Sequence, residues 1–313
     1  MFSGNNNHSP ALRPFTRAIV PWFLFAVLGV AVKTQSEEKQ NFVKYHSSPN
    51  VRVIPKLVYA RYTAGKLRLD LYLPRTPGQK RTGVVVVRGG GWLVGDRKRF
   101  AHLASALAEH GIVAACIEYR TANIAAFPAA IEDVKAAVRW MRGNAAQYGI
   151  DPDLIGVIGG SSGAYMALFV GLTHGIAEFE GDGGNPGISS AVQAVVAMAV
   201  PADLLALSET NKQTVGKFLH AMPEEDPVKW QLASPINHIR SGGPPVLLLH
   251  GENDDSVPTN QSIDFAQRYR REGNTAELEI IPGAPHDFWN YYPWFNDAMT
   301  RSAMFFENSR KEK

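Results

Sequence analysis

Residues 154–174 read LIGVIGGSSGAYMALFVGLTH, and at their centre lies Gly159-Gly160-Ser161-Ser162-Gly163, a G-x-S-x-G pentapeptide. The apolar run 154–158 has the length and composition of a buried strand, and 164–174 continues as a helix former. A serine hydroxyl is a weak nucleophile at neutral pH. It needs an adjacent base, and its oxygen must project from the backbone into an open cleft. A sharp strand-to-helix turn projects it, and small residues two before and two after let neighbouring backbone pass close by. Glycine–serine clusters are also ordinary turns. The rest of the chain therefore has to decide between the two.

It decides by order. Residues 245–249 (PVLLL) open into His250-Gly251-Glu252-Asn253-Asp254-Asp255, and residues 278–281 (LEII) into Pro282-Gly283-Ala284-Pro285-His286-Asp287. Each candidate follows the end of an apolar run, which in an open parallel sheet is the carboxyl edge where ligands bind. The sequence order serine, acid, histidine is that of α/β-hydrolases and not of other serine-hydrolase folds. In that arrangement His286 takes the Ser161 proton and returns it to the leaving group, while Asp254 holds the imidazole tautomer. The chemistry also needs donors for an oxyanion. The β-branched run 84–87 ends in Arg88-Gly89-Gly90-Gly91-Trp92, whose glycines can turn backbone N–H groups toward a substrate oxygen. Gly90 and Gly91 are the expected donors, with the amide of Ser162 as the third. No Lys-Ser/Thr follows the glycines and their spacing is not G-x-G-x-x-G, which argues against a nucleotide site.

On these motifs the chain resembles α/β-hydrolases of the carboxylesterase branch whose oxyanion loop reads HGGGW, near the hormone-sensitive-lipase-like and bacterial acetyl-esterase-like groups. The resemblance covers about residues 51–308. It also draws on Glu118-Tyr119-Arg120, residues 127–140 (FPAAIEDVKAAVRW), residues 148–152 (YGIDP) and Ala233-Ser234-Pro235-Ile236. It implies Ser161, Asp254 and His286 as a triad, and Gly90, Gly91 and Ser162 as oxyanion donors. It further implies a serine carboxylic-ester hydrolase acting on short acyl esters, such as acetylated carbohydrates or small alcohols. A serine peptidase shares the chemistry, but usually brings a gating domain for which this chain has no room. A hydrolase-fold protein that binds a ligand without turnover is the alternative from another class; such relatives typically lack a triad member. The chain departs from the pattern at Arg88, where the family usually has a histidine that braces the loop. Arginine either faces an anionic substrate group or clamps carbonyls, and the second is its commoner use.

Rival side chains are weighed by place. Asp254 is preferred to Asp255 because its offset from His250 matches the family. Asp203, after the sixth strand of the sheet, is expected to cap a turn, His250 to hold the acid loop together and Asp287 to support the histidine turn. Cys116, the sole cysteine, lies in the apolar run 112–117 and reads as a small buried hydrophobe. No cofactor is implied, and no cysteine–histidine spacing suggests a metal.

At 313 residues and 45% hydrophobic content the chain suits one large α/β domain. Its net charge of +3 is too small to suggest nucleic acid. Residues 1–33, with Arg13 and Arg17 before the apolar run 18–32, read as a signal peptide or an N-terminal membrane anchor, so the protein is expected to be exported. Residues 34–50 are polar and read as a linker to a hydrolase domain over 51–313.

The expected architecture is a mostly parallel eight-stranded sheet with helices on both faces. Strands are expected at 51–59, 67–73, 84–87, 112–118, 154–158, 192–200, 246–249 and 278–281. Helices are expected at 102–110, 129–144, after Ser161, at 263–272 and at 297–308. Between Pro201 and Pro235 a helical cap is expected, with short helices at 204–210, 215–222 and 228–232 separated by Pro223 and Pro227. Phe218, Leu219, Met222 and Trp230 of that cap either line a substrate pocket or pack as a structural pair.

Overall fold

The run Val84-Val85-Val86-Val87 shows why the sheet is buried on both sides. Val85 and Val87 lie in one core cluster and Val84 and Val86 in the other, all at 1% exposure or less. Side chains alternate across a strand, so a strand covered by helices on both faces reads as an unbroken apolar run. The computed structural model describes Met1 and residues 41–309 apart from 64, 77 and 79. The expected signal peptide or anchor, and residues 34–40 of the expected linker, lie outside the described residues.

The strands are β1 (Asn41–Phe42), β2 (Val51–Tyr62), β3 (Gly65–Pro74), β4 (Arg81–Val87), β5 (Val113–Ile117), β6 (Ile150–Gly160), β7 (Ala194–Met198), β8 (Val246–Gly251), β9 (Ala276–Ile281) and β10 (Tyr291–Tyr292). The helices are α1 (Ala101–Glu109), α2 (Ala129–Gly143), α3 (Ala145–Tyr148), α4 (Ser162–Leu172), α5 (Glu209–Leu219), α6 (Pro227–Ala233), α7 (Asn260–Arg271) and α8 (Trp294–Asn308). Eight strands form one sheet in the order β2-β3-β5-β4-β6-β7-β8-β9. Only β3 runs against its neighbours; the other pairings are parallel. This is the α/β-hydrolase fold. Helices α2, α4 and α7 bury Val134, Val138, Met141, Phe169 and Phe265 on one face, and α1 and α8 bury Leu103, Leu107, Met299 and Phe306 on the other.

All eight expected sheet strands are present, six longer than expected and two, β5 and β7, shorter than the expected 112–118 and 192–200. The cap departs from expectation. Residues 204–208 form no helix: Leu204 N–H donates to Ser234 Oγ (3.1 Å) and Leu205 N–H to Asp203 Oδ1 (3.1 Å), and Ser208 is extended (φ −62°, ψ 156°), which stops a helix from running through 204–210. Two helices follow in place of three. Ser208 caps α5, accepting from Asn211 N–H at 3.4 Å. Asp226 caps α6, accepting from Lys229 N–H at 2.9 Å. Pro227 thus begins α6 rather than separating helices, since the first helical turn needs no N–H from it.

Residues 41–43, inside the stretch expected to be a linker, pack on the domain. Asn41 and Phe42 pair antiparallel with Tyr292 and Tyr291, and Val43 N–H donates to Asn290 O at 2.8 Å. Val43 itself is 3% exposed in the core that holds α1 and α8.

Candidate active site

The turn from β6 into α4 puts Ser161 at φ 55°, ψ −124°. Holding a non-glycine residue in such a region costs on the order of 1–3 kcal/mol, so its surroundings must fix it. Ser161 N–H donates to Met198 O (2.8 Å) on β7, and Ser161 O accepts from Tyr165 N–H (3.0 Å) in α4. A Cβ on Gly163 would lie 2.1 Å from Val87 O, so only glycine lets the end of β4 pass beneath the elbow.

The loops after β8 and β9 bring the other two residues to this oxygen. Ser161 Oγ lies 3.0 Å from His286 Nε2, and His286 Nδ1 lies 2.8 Å from Asp254 Oδ2. Asp254 accepts only, so Nδ1 carries the ring proton and Nε2 is left to accept from the serine. Asp254 Oδ1 accepts from Ser256 N–H (2.9 Å) and Val257 N–H (2.7 Å). Burial pushes the Asp254 carboxyl up, but hydrogen bonds from His250 and His286 outweigh it and hold the group well below the usual carboxylate range. It therefore stays ionised. His250, fully buried, accepts from Ser262 Oγ at 2.7 Å through Nδ1 and reaches Val257 O (2.9 Å) and Asp254 Oδ2 (3.1 Å) through Nε2. It ties the acid loop to α7, as expected.

The remaining rivals also fall where the sequence places them. Asp255 is exposed and accepts from the Ser256 hydroxyl (3.2 Å). Asp287 accepts from Asn290 Nδ2 (3.1 Å) in the histidine turn. Cys116 is buried and burial pushes its thiol up.

Gly90, Gly91 and Ser161 all line one cleft of about 970 Å³ with His286. The N–H groups of Gly90 and Gly91 make no hydrogen bond among the described residues. Ser162 N–H is the first of α4 and has no acceptor within the helix. At φ 125°, with Val94 O only 2.0 Å from where a Cβ would stand, Gly90 admits no other residue. Arg88 fixes this loop from behind. Its Nη1 donates to Val94 O (2.7 Å), Gly89 O (3.3 Å) and the Tyr119 hydroxyl (2.8 Å), and its guanidinium lies 4.1 Å over the Tyr119 ring. At 3% exposure and outside the Ser161 cleft, Arg88 is a carbonyl clamp and not a substrate contact.

The cap aromatics do not line the cleft. Phe218 stacks on Trp92 of the glycine loop (4.8 Å between centroids, 10° between planes), and Tyr165 meets Trp92 edge-on at 5.1 Å. Phe218, Leu219 and Trp230 are wholly buried, and Met222 is half-buried with its sulfur against Gly216. The structural-pair alternative is the one realised. The opposite wall, which sequence reasoning missed, comes from residues 42–45 and 98–100. Its only sequence signal was Phe42, Val43 and Tyr45, set in a polar stretch.

Residues 69–269 match the BD-FAE family model. The chain belongs to the BD-FAE family. The matched stretch includes Gly90, Gly91, Ser161 and Asp254 and stops short of His286. Among curated relatives of this BD-FAE protein, esterase LipQ of Mycobacterium tuberculosis is 33% identical over 223 residues, covering 68% of this chain and 51% of LipQ. The chain thus spans about half the length of the curated relatives it matches. Among solved structures, a truncated carbohydrate esterase from gut microbiota is 28% identical with a TM-score of 0.74, covering 87% of this chain and 98% of that one. Esterase Est2 of Thermogutta terrifontis with propionate bound is 28% identical with a TM-score of 0.68, covering 83% and 94%.

Proposed function

We propose that this BD-FAE family member is a serine hydrolase of carboxylic esters with short acyl groups, and that Ser161, His286 and Asp254 are its triad. The observation that carries the reading is the unbroken relay Ser161 Oγ–His286 Nε2 (3.0 Å) and His286 Nδ1–Asp254 Oδ2 (2.8 Å) on a strained elbow facing a cleft. Ser161 attacks the ester carbonyl as His286 takes its proton. The amides of Gly90, Gly91 and Ser162 receive the oxyanion, each such donor being worth about 2.7–4 kcal/mol in the transition state. His286 then protonates the departing alcohol, and water releases the acid from the acyl-enzyme by the same steps in reverse.

Two observations favour a short acyl group. The cluster of Trp92, Phe218 and Tyr165 packs under the cap, and the cleft opens instead toward residues 42–45. The named relatives point the same way: Est2 is described with propionate bound, and the gut enzyme is a carbohydrate esterase. Acylated saccharides fit both. The test is steady-state hydrolysis of p-nitrophenyl acetate, butyrate and octanoate by the full chain beside Ser161→Ala. Turnover should fall from acetate to octanoate and vanish with the serine; turnover that survives Ser161→Ala would sink the assignment.

Export belongs to the same proposal. Arg13 and Arg17 ahead of the apolar run 18–32 support a secretion signal. N-terminal sequencing of protein from the culture medium and cell envelope should find a start near residue 34. An intact Met1 on soluble protein inside the cell would contradict export.

A further inference from the structure

The sequence Asp96-Arg97-Lys98-Arg99-Phe100 sets three cations in a row, and the structure uses them differently. Arg97 is buried, and its guanidinium pairs with Asp70 (3.0 Å) and with Glu118. Lys98 and Arg99 are exposed and line the cleft that holds Ser161. Phe100, 5% exposed and edge-on to Trp289 at 6.0 Å, anchors this turn beside the histidine loop. Lys44 joins them from the N-terminal strap, which is held by Val43 in the core and by the Val43 N–H to Asn290 O bond. Among the described residues none of Lys44, Lys98 and Arg99 pairs with a carboxylate. The two acids of the cleft, Asp255 and Asp287, belong to the acid and histidine loops, where Ser256 and Asn290 occupy them.

A wall with three cations that are unpaired among the described residues, next to the exposed rings of Phe42 and Tyr45, has the composition of a site for an anionic sugar ring. Aromatic faces suit the apolar side of a saccharide, and a guanidinium fork suits a planar carboxylate or a sulfate. Building on the ester-hydrolase reading, we propose that Lys44, Lys98 and Arg99 bind an anionic group on the alcohol half of the ester, so that the preferred substrates are acylated acidic saccharides. The cap side of the serine is filled by aromatic rings, which leaves the cleft along the strap for the alcohol half.

The full-length Ser161→Ala protein, titrated calorimetrically, reads recognition without turnover. Its ligands are an acetylated methyl glucuronoside, an acetylated methyl glucoside 6-sulfate and the neutral acetylated methyl glucoside. At low ionic strength at least one anionic saccharide should bind about tenfold more tightly than the neutral one, the range three rim contacts supply. Which anion gains names the group. The advantage should shrink with added salt and fall toward unity when Lys44→Met, Lys98→Met and Arg99→Met are combined. Equal binding of all three saccharides, or an advantage that survives the triple substitution, overturns the proposal. A preference of the Ser161 enzyme for p-nitrophenyl succinate over butyrate also overturns it, by placing the anion on the acyl half. Absence of p-nitrophenyl acetate turnover would instead strike at the ester-hydrolase reading, and the calorimetric ranking would still judge the cationic wall.

Discussion

Asp254 makes four polar contacts among the described residues, and only one of them, the bond to His286 Nδ1 with the negative charge behind it, belongs to the proposed relay. Asp254→Asn keeps the shape and removes the charge, so the amide can present N–H to the ring and favour the wrong tautomer. We expect kcat to fall by about 10⁴ with KM little changed, measured on p-nitrophenyl acetate. Arg88 tests a different link, from loop bracing to oxyanion geometry. Arg88→Ala removes the donors to Val94 O and Gly89 O, and should destabilise the fold by about 1–3 kcal/mol in urea unfolding. It should also lower kcat on the order of ten- to a hundredfold through a displaced loop. The ratio of rates on anionic and neutral esters should stay the same, because Arg88 does not face the cleft. At this scale Ser161, Asp254 and His286 were legible because each follows a strand, and strand ends are readable as breaks in apolar runs. Where the Arg88 guanidinium points was not legible, since clamp and substrate contact require the same side chain.

The inner strands of the sheet were legible for a related reason: buried on both faces, they are apolar at nearly every position, whereas β2, β3 and β9 mix polar and apolar residues. The cap carried no such signal. Residues 204–208 have helix-forming composition, yet Ser208 is extended and caps α5, so the helix begins only at Glu209. The strap was hidden because Phe42, Val43 and Tyr45 are a short apolar group within a polar stretch. The cap aromatics could have served a pocket or a core, and the partner that decides is Trp92, over a hundred residues earlier in the chain. That packing is testable. Phe218→Ala removes a fully buried ring and should cost about 3–5 kcal/mol in urea unfolding. It also empties the space against Trp92, so octanoate should gain relative to acetate. An unchanged chain-length preference would mean that the cap face of Trp92 does not limit the acyl pocket.

The response of the whole molecule to acid follows from a histidine that takes no part in the proposed relay. His102 on α1 is 8% exposed, and its Nε2–H donates to Trp289 O at 3.1 Å, joining one helical layer to the histidine loop. Burial lowers its pKa to about 4, against the smaller opposing effect of that hydrogen bond. In the unfolded chain the ring titrates near 6.5, so between about pH 6.5 and 4 the unfolded state binds a proton that the folded state refuses. Stability is therefore complete above pH 6.5 and falls as the pH drops through this window. Asp254 acts lower: its depressed carboxyl adds stability above about pH 4 that is lost only on further acidification. His102→Gln keeps an N–H for the Trp289 carbonyl and removes the titration. Urea unfolding at pH 7 and pH 4.5 should show the wild-type protein losing about 2–3 kcal/mol more than His102→Gln, every other titrating group being common to both. Equal losses would mean that the folded protein protonates His102 as easily as the unfolded chain does, and that the layer between α1 and Trp289 admits water.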